Sequence, residues 1–257
     1  MKKDNLGDRM KCYENVTRNY LVRRTPVIIR LDGKAFHSFT GGFEKPFDSV
    51  LMKSMQDTMR FLCKNIQGCM MGYCQSDEIS LLLVDYQTID TSAWFDNNIL
   101  KLVSVSSSMA TMIFNKVFME NNISSFFKKE DDKRYKEIYK NHLGKVGIAM
   151  FDSRAFNIPK GEVCNYFIWR QNDATRNSIQ MVGQSKFSHK ELQCKNCNQI
   201  QEMLFQKYGI NWGEDYSTPE KRGSCCLKKD GKWIIDKDIP IFTQDRDYID
   251  RFVFLEE

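Results

Sequence analysis

The stretch Val27-Ile28-Ile29-Arg30-Leu31-Asp32-Gly33-Lys34 begins as an apolar run and ends in a carboxylate followed by a glycine. A second acidic motif, Gln75-Ser76-Asp77-Glu78, lies between the apolar runs 69–73 and 79–84. Each motif places carboxylates at the end of a predicted buried strand, where an unpaired charge costs several kcal/mol. We therefore expect a cation between the two motifs, and a pair of Mg²⁺ ions is the obvious candidate.

The apolar pattern around these motifs predicts an α+β fold. In chain order it predicts a strand at 26–31, a loop at 33–47, a helix that begins after the capping residue Asp48, strands at 69–74 and 78–85, a helix at 97–119 and a strand at 146–151. This order of elements is the split βαβ of ferredoxin-like folds.

The split βαβ has a geometric consequence for the acidic motifs. Its third strand lies between the first and the second and is antiparallel to both. The end of the first strand, the end of the second and the start of the third therefore share one edge of the sheet. Asp32 lies at the first of these places, and Asp77 and Glu78 lie in the tight turn between the other two. The fold thus predicts that the two motifs meet.

The rest of the chain is predicted to be helical with a terminal hairpin. Helices are expected at 161–184 and 188–208, the second with Ser188 and Glu191 in a capping box. Strands at 222–229 and 232–236 flank Asp230-Gly231, a strong hairpin signal. We predict a catalytic core at 1–155, with 156–257 as a helical region plus C-terminal β-hairpin packed into one catalytic unit.

The composition sets broad limits on function. The 257 residues carry 38 basic and 33 acidic side chains, a net charge of +5, which permits nucleic-acid binding without requiring it. The nine cysteines and the acidic residues in segment 1–15 argue against secretion and favour reduced thiols. We expect no segment long enough to span a bilayer, no membrane partner and a cytoplasmic location, with a mitochondrial one left open.

Paired carboxylates of this kind suit nucleotidyl transfer. Two Mg²⁺ ions about 4 Å apart activate an attacking hydroxyl and stabilise the leaving oxygen. Mg²⁺ prefers one or two carboxylates, carbonyl or water oxygens and the substrate's own phosphates, and Gly33 offers a carbonyl that a ligand can approach closely. Taken alone, each acidic motif is better explained as turn residues or a helix cap, but their convergence favours a metal site.

Other motifs are less specific. The N–H groups of the loop 33–37 are suited to cradling phosphate, with Lys45 and Ser76 as further contacts, although neither a P-loop nor a GxGxxG motif is present. In the predicted helix at 161–184, Arg170 and Arg176 are suited to phosphate, and a solvated face with ion pairs is an equally good interpretation. Cys194, Cys197, Cys225 and Cys226 fit structural thiols better than zinc.

Several motifs together resemble one family, the tRNA(His) guanylyltransferase superfamily. The residues that carry this resemblance are Arg30-Leu31-Asp32-Gly33-Lys34-Ala35-Phe36-His37, Phe43-Glu44-Lys45-Pro46-Phe47-Asp48, Gln75-Ser76-Asp77-Glu78, Trp169-Arg170-Gln171 with Asp173, and Ile239-Pro240-Ile241-Phe242. The resemblance implies a polymerase-like palm that extends RNA at its 5′ end, in the 3′-to-5′ direction. It also implies a homotetramer that uses ATP, GTP or other nucleoside triphosphates and tRNA.

The resemblance also implies roles for individual residues. Two Mg²⁺ ions would be held by Asp32, the Gly33 carbonyl and Asp77, with Asp32, Asp77 and Glu78 as catalytic residues. The expected nucleotide-binding residues are Asp32, Gly33, Lys34, Ala35, Phe36, His37, Lys45, Ser76 and Asp77. The expected contacts to RNA or phosphate are Arg30, Arg170, Arg176 and Asn177.

One departure from the family pattern bears on specificity. Enzymes of the family that are specific for histidine tRNA carry His-Ile-Asn-Asn-Leu-Tyr-Asn where this chain has Thr175-Arg176-Asn177-Ser178-Ile179-Gln180-Met181. The chain therefore resembles the guanylyltransferase-like branch, which repairs 5′-truncated tRNA by templated addition after ATP activation. The alternatives are addition of the extra 5′ guanosine to histidine tRNA and, more distantly, a nucleotide cyclase-like enzyme or a non-catalytic RNA-binding module.

Overall fold

A six-stranded antiparallel sheet organises the structure, a computed structural model that describes residues 5–128 and 133–255. The strands are β1 (Val27–Gly33), β2 (Cys69–Gln75), β3 (Glu78–Leu83), β4 (Phe151–Asn157), β5 (Ser224–Lys229) and β6 (Lys232–Asp236). Their order across the sheet is β4-β1-β3-β2-β5-β6, and every neighbouring pair is antiparallel. The first four strands have the ferredoxin-like order, so the predicted split βαβ is confirmed.

Strand β3 lies at the centre of this arrangement. All six of its residues are buried, as expected for a strand that is covered on both faces. One face of the sheet packs on a core that includes Leu81 and Phe114. The other face packs on a core that includes Leu82 and Phe167. The long apolar run 79–84 thus reflects a sheet buried between two helical layers.

The helices are α1 (Leu6–Asn15), α2 (Phe36–Phe39), α3 (Ser49–Asn65), α4 (Ile99–Lys128), α5 (Lys133–Leu143), α6 (Val163–Lys186), α7 (His189–Leu192), α8 (Cys197–Tyr208), α9 (Trp212–Asp215), α10 (Thr218–Arg222) and α11 (Asp247–Asp250). Helix α3 begins as predicted, because the Asp48 carboxylate accepts a hydrogen bond from the Leu51 N–H at 2.9 Å. Helices α1 and α5 were not anticipated from the sequence. Residues 1–4 of the acidic N-terminal segment lie outside the described part.

The predicted strand at 146–151 is wrong, since β4 begins at Phe151. The Asn115 side chain explains the difference. Its Nδ2 donates to the Ala149 carbonyl at 2.9 Å, and its Oδ1 accepts from the Ala149 N–H at 3.1 Å. The backbone of this apolar segment is thus held by a side chain of α4 instead of by a neighbouring strand.

Two other predicted segments differ from the structure in their secondary structure. The helix at 188–208 is interrupted at 193–196, where Cys194 has a left-handed φ of 59° and Asn196 caps a new helix together with Gln199. The expected loop at 33–47 contains α2, because Phe36 and Phe39 turn inward onto α4.

Helix α4 corrects the expectation that no segment is long enough to span a bilayer. Its stretch Ile99–Phe127 has the length and the apolar composition of a membrane span. The same helix supplies Leu102, Phe114 and Phe118 to the core under the sheet. A core helix of a water-soluble protein can have the same length and composition, so the apolar character of α4 has a packing explanation in the described structure.

The C-terminal hairpin extends the main sheet. Strand β5 pairs with β2 from Met71↔Leu227 to Cys74↔Ser224, and β6 forms the outer edge. The two halves of the chain therefore contribute to one sheet. The boundary predicted near residue 155 remains a prediction.

Candidate active site

The edge of the sheet at Asp32 brings the two acidic motifs together. Asp32 is paired with Glu78 in the β1–β3 register, and the Gly33 N–H donates to the Asp77 carbonyl at 3.0 Å. The turn between β2 and β3 is tight, with Ser76 at a positive φ of 49°. The strand order thus produces the convergence that the sequence predicted.

Asp77 is a half-buried carboxylate whose surroundings favour its neutral form. Burial raises its pKa, the hydrogen bond from Ser76 Oγ at 3.0 Å lowers it, and the negative charge of Asp32 raises it again. Within the described residues, neither Asp32 nor Asp77 forms an ion pair. Two adjacent carboxylates without a protein cation are suited to a bound metal ion.

The available ligands fit Mg²⁺ better than a metal held entirely by protein side chains. Within residues 5–128 and 133–255, no group of three or more His, Cys, Asp or Glu side chains is placed to hold a metal, and the nine cysteines are free thiols. Asp32, Asp77 and the Gly33 carbonyl form the small oxygen set that Mg²⁺ uses when substrate phosphates complete its shell. The predicted ligands therefore match the chemistry of the predicted ion.

Gly33 is required by packing. A Cβ on Gly33 would lie 2.4 Å from the ring of Phe36, far inside normal contact. Phe36 itself is buried and packs on Phe114 and Phe151, with ring centroids 5.5 and 5.2 Å away. Its side chain thus belongs to the core, and only its backbone is available for the predicted nucleotide contact.

The first turn of α2 has the features expected of a phosphate site. In the described part of the chain, the N–H groups of Phe36 and His37 have no hydrogen-bond acceptor. Ala35 precedes them with a positive φ of 55°. The side chains of Lys34, His37 and Lys45 are exposed, so all three remain available for the nucleotide contacts predicted for them.

Glu78 is held between two arginines. Its Oε2 lies 2.8 Å from Arg30 NH2, and its Oε1 lies 2.8 Å from Arg170 Nε. Burial raises the pKa of Glu78, and the two guanidinium groups oppose this rise without cancelling it. Arg170 also contacts Asp173 at 2.7 Å, and Asp173 pairs with Arg176. Glu78 thus faces cations of the protein, and its predicted catalytic role stays a prediction.

The four predicted RNA or phosphate contacts differ in exposure. The side chains of Arg176 and Arg30 are 61% and 19% exposed, whereas that of Arg170 is 4% exposed and is engaged by two carboxylates. Little of the Arg170 guanidinium remains for a ligand, because Glu78 and Asp173 hold it. The predicted contact to RNA or phosphate did not take these partners into account. Asn177 lies with Ser76 in the wall of an apolar cleft between α3, α6 and α10.

Sequence reasoning missed three features of this region. The shifted start of β4 puts an exposed carboxylate, Asp152, opposite Asp32 in the register. His142 is buried and hydrogen-bonds to Asp48 at 2.9 Å and to Asn122 at 3.0 Å. Trp169 was noted only as part of a motif, and it lies over the Arg170 guanidinium at 4.3 Å. The Trp-Arg pair in an otherwise polar helix was the one available signal for the last of these.

A palm-like split βαβ with two carboxylates at one edge that lack a protein cation is the arrangement expected of a nucleotidyltransferase. Comparison with known proteins gives the family within that class. The family model for tRNA(His) guanylyltransferase (Thg1) matches residues 7–159. This is more than half of the chain, so the chain belongs to the tRNA(His) guanylyltransferase family, and the resemblance seen in its motifs is confirmed.

Solved structures and curated relatives agree with this assignment. A bacterial tRNA(His) guanylyltransferase (Thg1)-like protein in complex with ATP is 43% identical, with a TM-score of 0.85 over 98% of this chain and 100% of that one. A bacterial Thg1-like protein in complex with GTP is 40% identical, with a TM-score of 0.79 over the same shares. The tRNA(His) guanylyltransferase of Debaryomyces hansenii is 27% identical over 224 residues, 82% of this chain and 76% of that protein.

Proposed function

We propose that this protein is a template-dependent 3′-to-5′ nucleotidyltransferase that adds nucleotides to the 5′ end of tRNA and so repairs truncated ends. The observation that carries the proposal is the pair of carboxylates without a protein cation, Asp32 and Asp77, in a chain of this family. The similarity to Thg1-like proteins in complex with ATP and with GTP supports nucleoside triphosphates as substrates.

The proposed reaction has two steps. An oxygen of the RNA 5′-monophosphate first attacks the α-phosphorus of ATP, which releases pyrophosphate and leaves an adenylylated 5′ end. The 3′-hydroxyl of an incoming nucleotide then attacks the 5′-phosphorus of the RNA and loses its proton to solvent, while AMP leaves. A 5′-triphosphate end needs no activation and releases pyrophosphate instead.

We assign each part of this reaction to particular residues. Asp32, Asp77 and the Gly33 carbonyl would hold Mg²⁺, which supplies charge stabilisation for phosphate oxygens and lowers the pKa of the attacking hydroxyl. The N–H groups of the first turn of α2 and the Lys45 ammonium bind phosphate. Glu78 keeps Arg30 and Arg170 beside the reacting groups.

The altered segment from Thr175 to Met181 supports repair over addition of the extra guanosine to histidine tRNA. That guanylyltransferase activity is the second candidate, and the similarity to the tRNA(His) guanylyltransferase of Debaryomyces hansenii favours it. A homotetramer is part of the proposal, and the exposed apolar side chains Leu100, Met112, Met119, Ile123 and Phe127 of α4 support association. A cytoplasmic or mitochondrial location without a membrane partner completes it.

An end-labelled addition assay tests the proposal. It compares a tRNA that lacks its first 5′ nucleotide with a full-length histidine tRNA, each with ATP, all four nucleoside triphosphates and Mg²⁺. Restoration of the nucleotide dictated by the opposite base supports templated repair, whereas addition only to histidine tRNA supports the guanylyltransferase.

Absence of addition to either tRNA overturns both candidates. ATP or GTP incubated without RNA then separates the remaining alternatives. A cyclic product identifies a cyclase-like enzyme, and Mg²⁺-independent RNA binding without turnover identifies a binding module.

A further inference from the structure

Trp169 is a large aromatic side chain left open beside the active site. Of the chain's four tryptophans, all in the described part, it is the exposed one, at 53%. It lies on α6, where its ring meets Tyr166 in an edge contact with centroids 5.9 Å apart. Single exposed hydrophobic residues are common on protein surfaces, so the significance of Trp169 depends on the groups that hold it and on its position.

The indole is held by groups that are themselves fixed. The guanidinium carbons of Arg170 and Arg30 lie 4.3 and 6.0 Å from the ring centroid. Both arginines are tied to the buried carboxylate of Glu78, and Arg170 is tied to Asp173 as well. An aromatic ring backed in this way binds a ligand with little loss of conformational freedom.

The ring also lies close to the reaction centre. Arg30 is two residues before Asp32 on β1, so the two side chains lie on the same face of the sheet, about 7 Å apart along the strand. Trp169 lies beside Arg30, and Arg30 is the next residue on this face of β1 before Asp32, the carboxylate that we assign to the metal. It reaches this place through α6, the helix that also contributes Arg170 to the Glu78 network.

Farther along, the same helix lines the apolar cleft between α3, α6 and α10. Asn177, in the wall of that cleft with Ser76, lies about 12 Å beyond Trp169 at 1.5 Å per helical residue. Along α6, Trp169, Arg170 and Asn177 follow the order of their neighbours Arg30, Glu78 and Ser76 on the sheet. The cleft and the indole thus lie toward opposite ends of the Asp32–Asp77 edge.

We propose that Trp169 is a stacking platform for the terminal base at the 5′ end of the RNA. This proposal rests on the proposed function and assigns the RNA end to the side of the carboxylates that is away from the cleft lined by Ser76 and Asn177. Every base has a π face, so stacking on an indole holds a base without reading its identity. An enzyme that restores different truncated ends needs such a sequence-tolerant contact, with base pairing left to the template.

A double-mutant cycle between the protein and the RNA tests the proposal. The RNA is a tRNA lacking its first nucleotide, with a 5′-triphosphate so that no activation is needed, made with or without an abasic site at its 5′-terminal residue. Trp169→Ala is expected to weaken binding of the intact RNA about 5- to 150-fold, and Trp169→Phe much less, since a phenyl ring still stacks. On the abasic RNA, Trp169→Ala is expected to have no further effect.

A matched control excludes a general effect of removing an exposed aromatic. Phe205 lies on α8 and is 58% exposed, so Phe205→Ala is expected to leave both affinities unchanged. Urea unfolding of each variant reports any loss of stability. The proposal is overturned if Trp169→Ala weakens intact and abasic RNA equally, or if Trp169→Phe is as damaging as Trp169→Ala, because a packing or protein-contact role predicts either result.

Binding is measured without nucleoside triphosphates, which separates this inference from the proposed function. If Trp169 and the terminal base are coupled but the protein adds no nucleotides, the stacking role is supported and the proposed repair function is overturned. If the protein adds templated nucleotides but shows no such coupling, the repair function is supported and the stacking role is overturned.

Discussion

Glu78 lies directly opposite Asp32 across the β1–β3 ladder, and the two carboxylates have opposite surroundings. Glu78 is closed off by Arg30 and Arg170, whereas Asp32 forms no ion pair within the described residues. Like charges placed opposite each other in a sheet repel, so the arginines allow the pair to exist. One carboxylate thereby becomes part of the framework, and the other remains available to a ligand.

The first prediction concerns Asp32 and Asp77. Asp32→Asn or Asp77→Asn is expected to reduce nucleotide addition at least a thousandfold, because the oxygen set for Mg²⁺ loses a charge. Stability should stay equal or rise, since both changes relieve repulsion between adjacent carboxylates. Single-turnover addition and urea unfolding check both outcomes, with the exposed Asp90→Asn as control. Near-normal activity of either variant would remove the metal assignment.

Removal of Mg²⁺ gives the second prediction. EDTA is expected to abolish addition, and excess Mg²⁺ should restore it. A readout independent of turnover is the melting temperature with ATP, which should rise when Mg²⁺ is added to the unaltered protein and rise less in Asp32→Asn. An equal rise in both proteins would show that the ATP-bound ion does not depend on Asp32.

The third prediction concerns the buried network of Glu78. Burial outweighs the arginines in setting the pKa of Glu78, so the ion pair as a whole adds little stability over an apolar alternative. Removing only one charge is different, because Glu78→Gln takes away one of the two carboxylates that hold the buried Arg170 and leaves it with Asp173 alone. We expect a loss of about 1.5–3 kcal/mol in the free energy of unfolding.

A double-mutant cycle checks this account. Because Arg170→Met removes the cation that loses a partner, Glu78→Gln in that background should cost less than Glu78→Gln alone, a coupling measurable by urea unfolding. Additive losses in the double variant would mean that the two residues act separately.

The convergence of the acidic motifs could be predicted because strand order follows from the order of elements along the chain. The surroundings of Glu78 could not, since Arg30 lies on the next strand and Arg170 on a helix of the second half. A motif shows that a carboxylate is present at a strand end, but its partners are set by tertiary packing.

The prediction of where β4 begins was wrong for a related reason. The alternation typical of a strand is present at Val146, Ile148 and Met150. The Asn115 side chain, however, hydrogen-bonds to both the N–H and the carbonyl of Ala149. These two hydrogen bonds account for the later start of the strand. Asp152, which was expected after the end of the strand, therefore lies within the ladder. Periodicity reports which residues prefer burial, and it contains no information about a side chain that competes for the backbone.

The fourth prediction concerns Gly33. Gly33→Ala is expected to cost about 1–3 kcal/mol in the free energy of unfolding, because the new Cβ overlaps the Phe36 ring and the core cannot yield freely. Addition should fall as well, since a displaced Phe36 moves the first turn of α2. Urea unfolding and the addition assay test both, with Gly161→Ala as control because its Cβ would meet nothing within 4 Å. Equal stability of the two variants would contradict the packing role.

The fifth prediction is a pH dependence from Asp48, which caps α3 and accepts a hydrogen bond from His142. Burial raises the pKa of Asp48, but the hydrogen bond and charge of His142 and the N–H groups of Leu51 and Glu44 lower it more, so the net pKa is below its usual 3.8. A lowered folded-state pKa contributes stability that is present above the unfolded value and is lost as the pH falls through the folded value.

Asp48→Asn keeps a capping side chain and removes the charge, so it should destabilise the protein by about 1.5–3 kcal/mol at pH 7. Urea unfolding at pH 7, 5, 4 and 3 measures the difference between the two proteins. Below about pH 4, near the ordinary pKa of aspartate, the difference should shrink as Asp48 of the unaltered protein takes up a proton. The exposed Asp90→Asn should show no such trend. A difference that stays constant or grows toward pH 3 would mean that the Asp48 charge does not stabilise the start of α3.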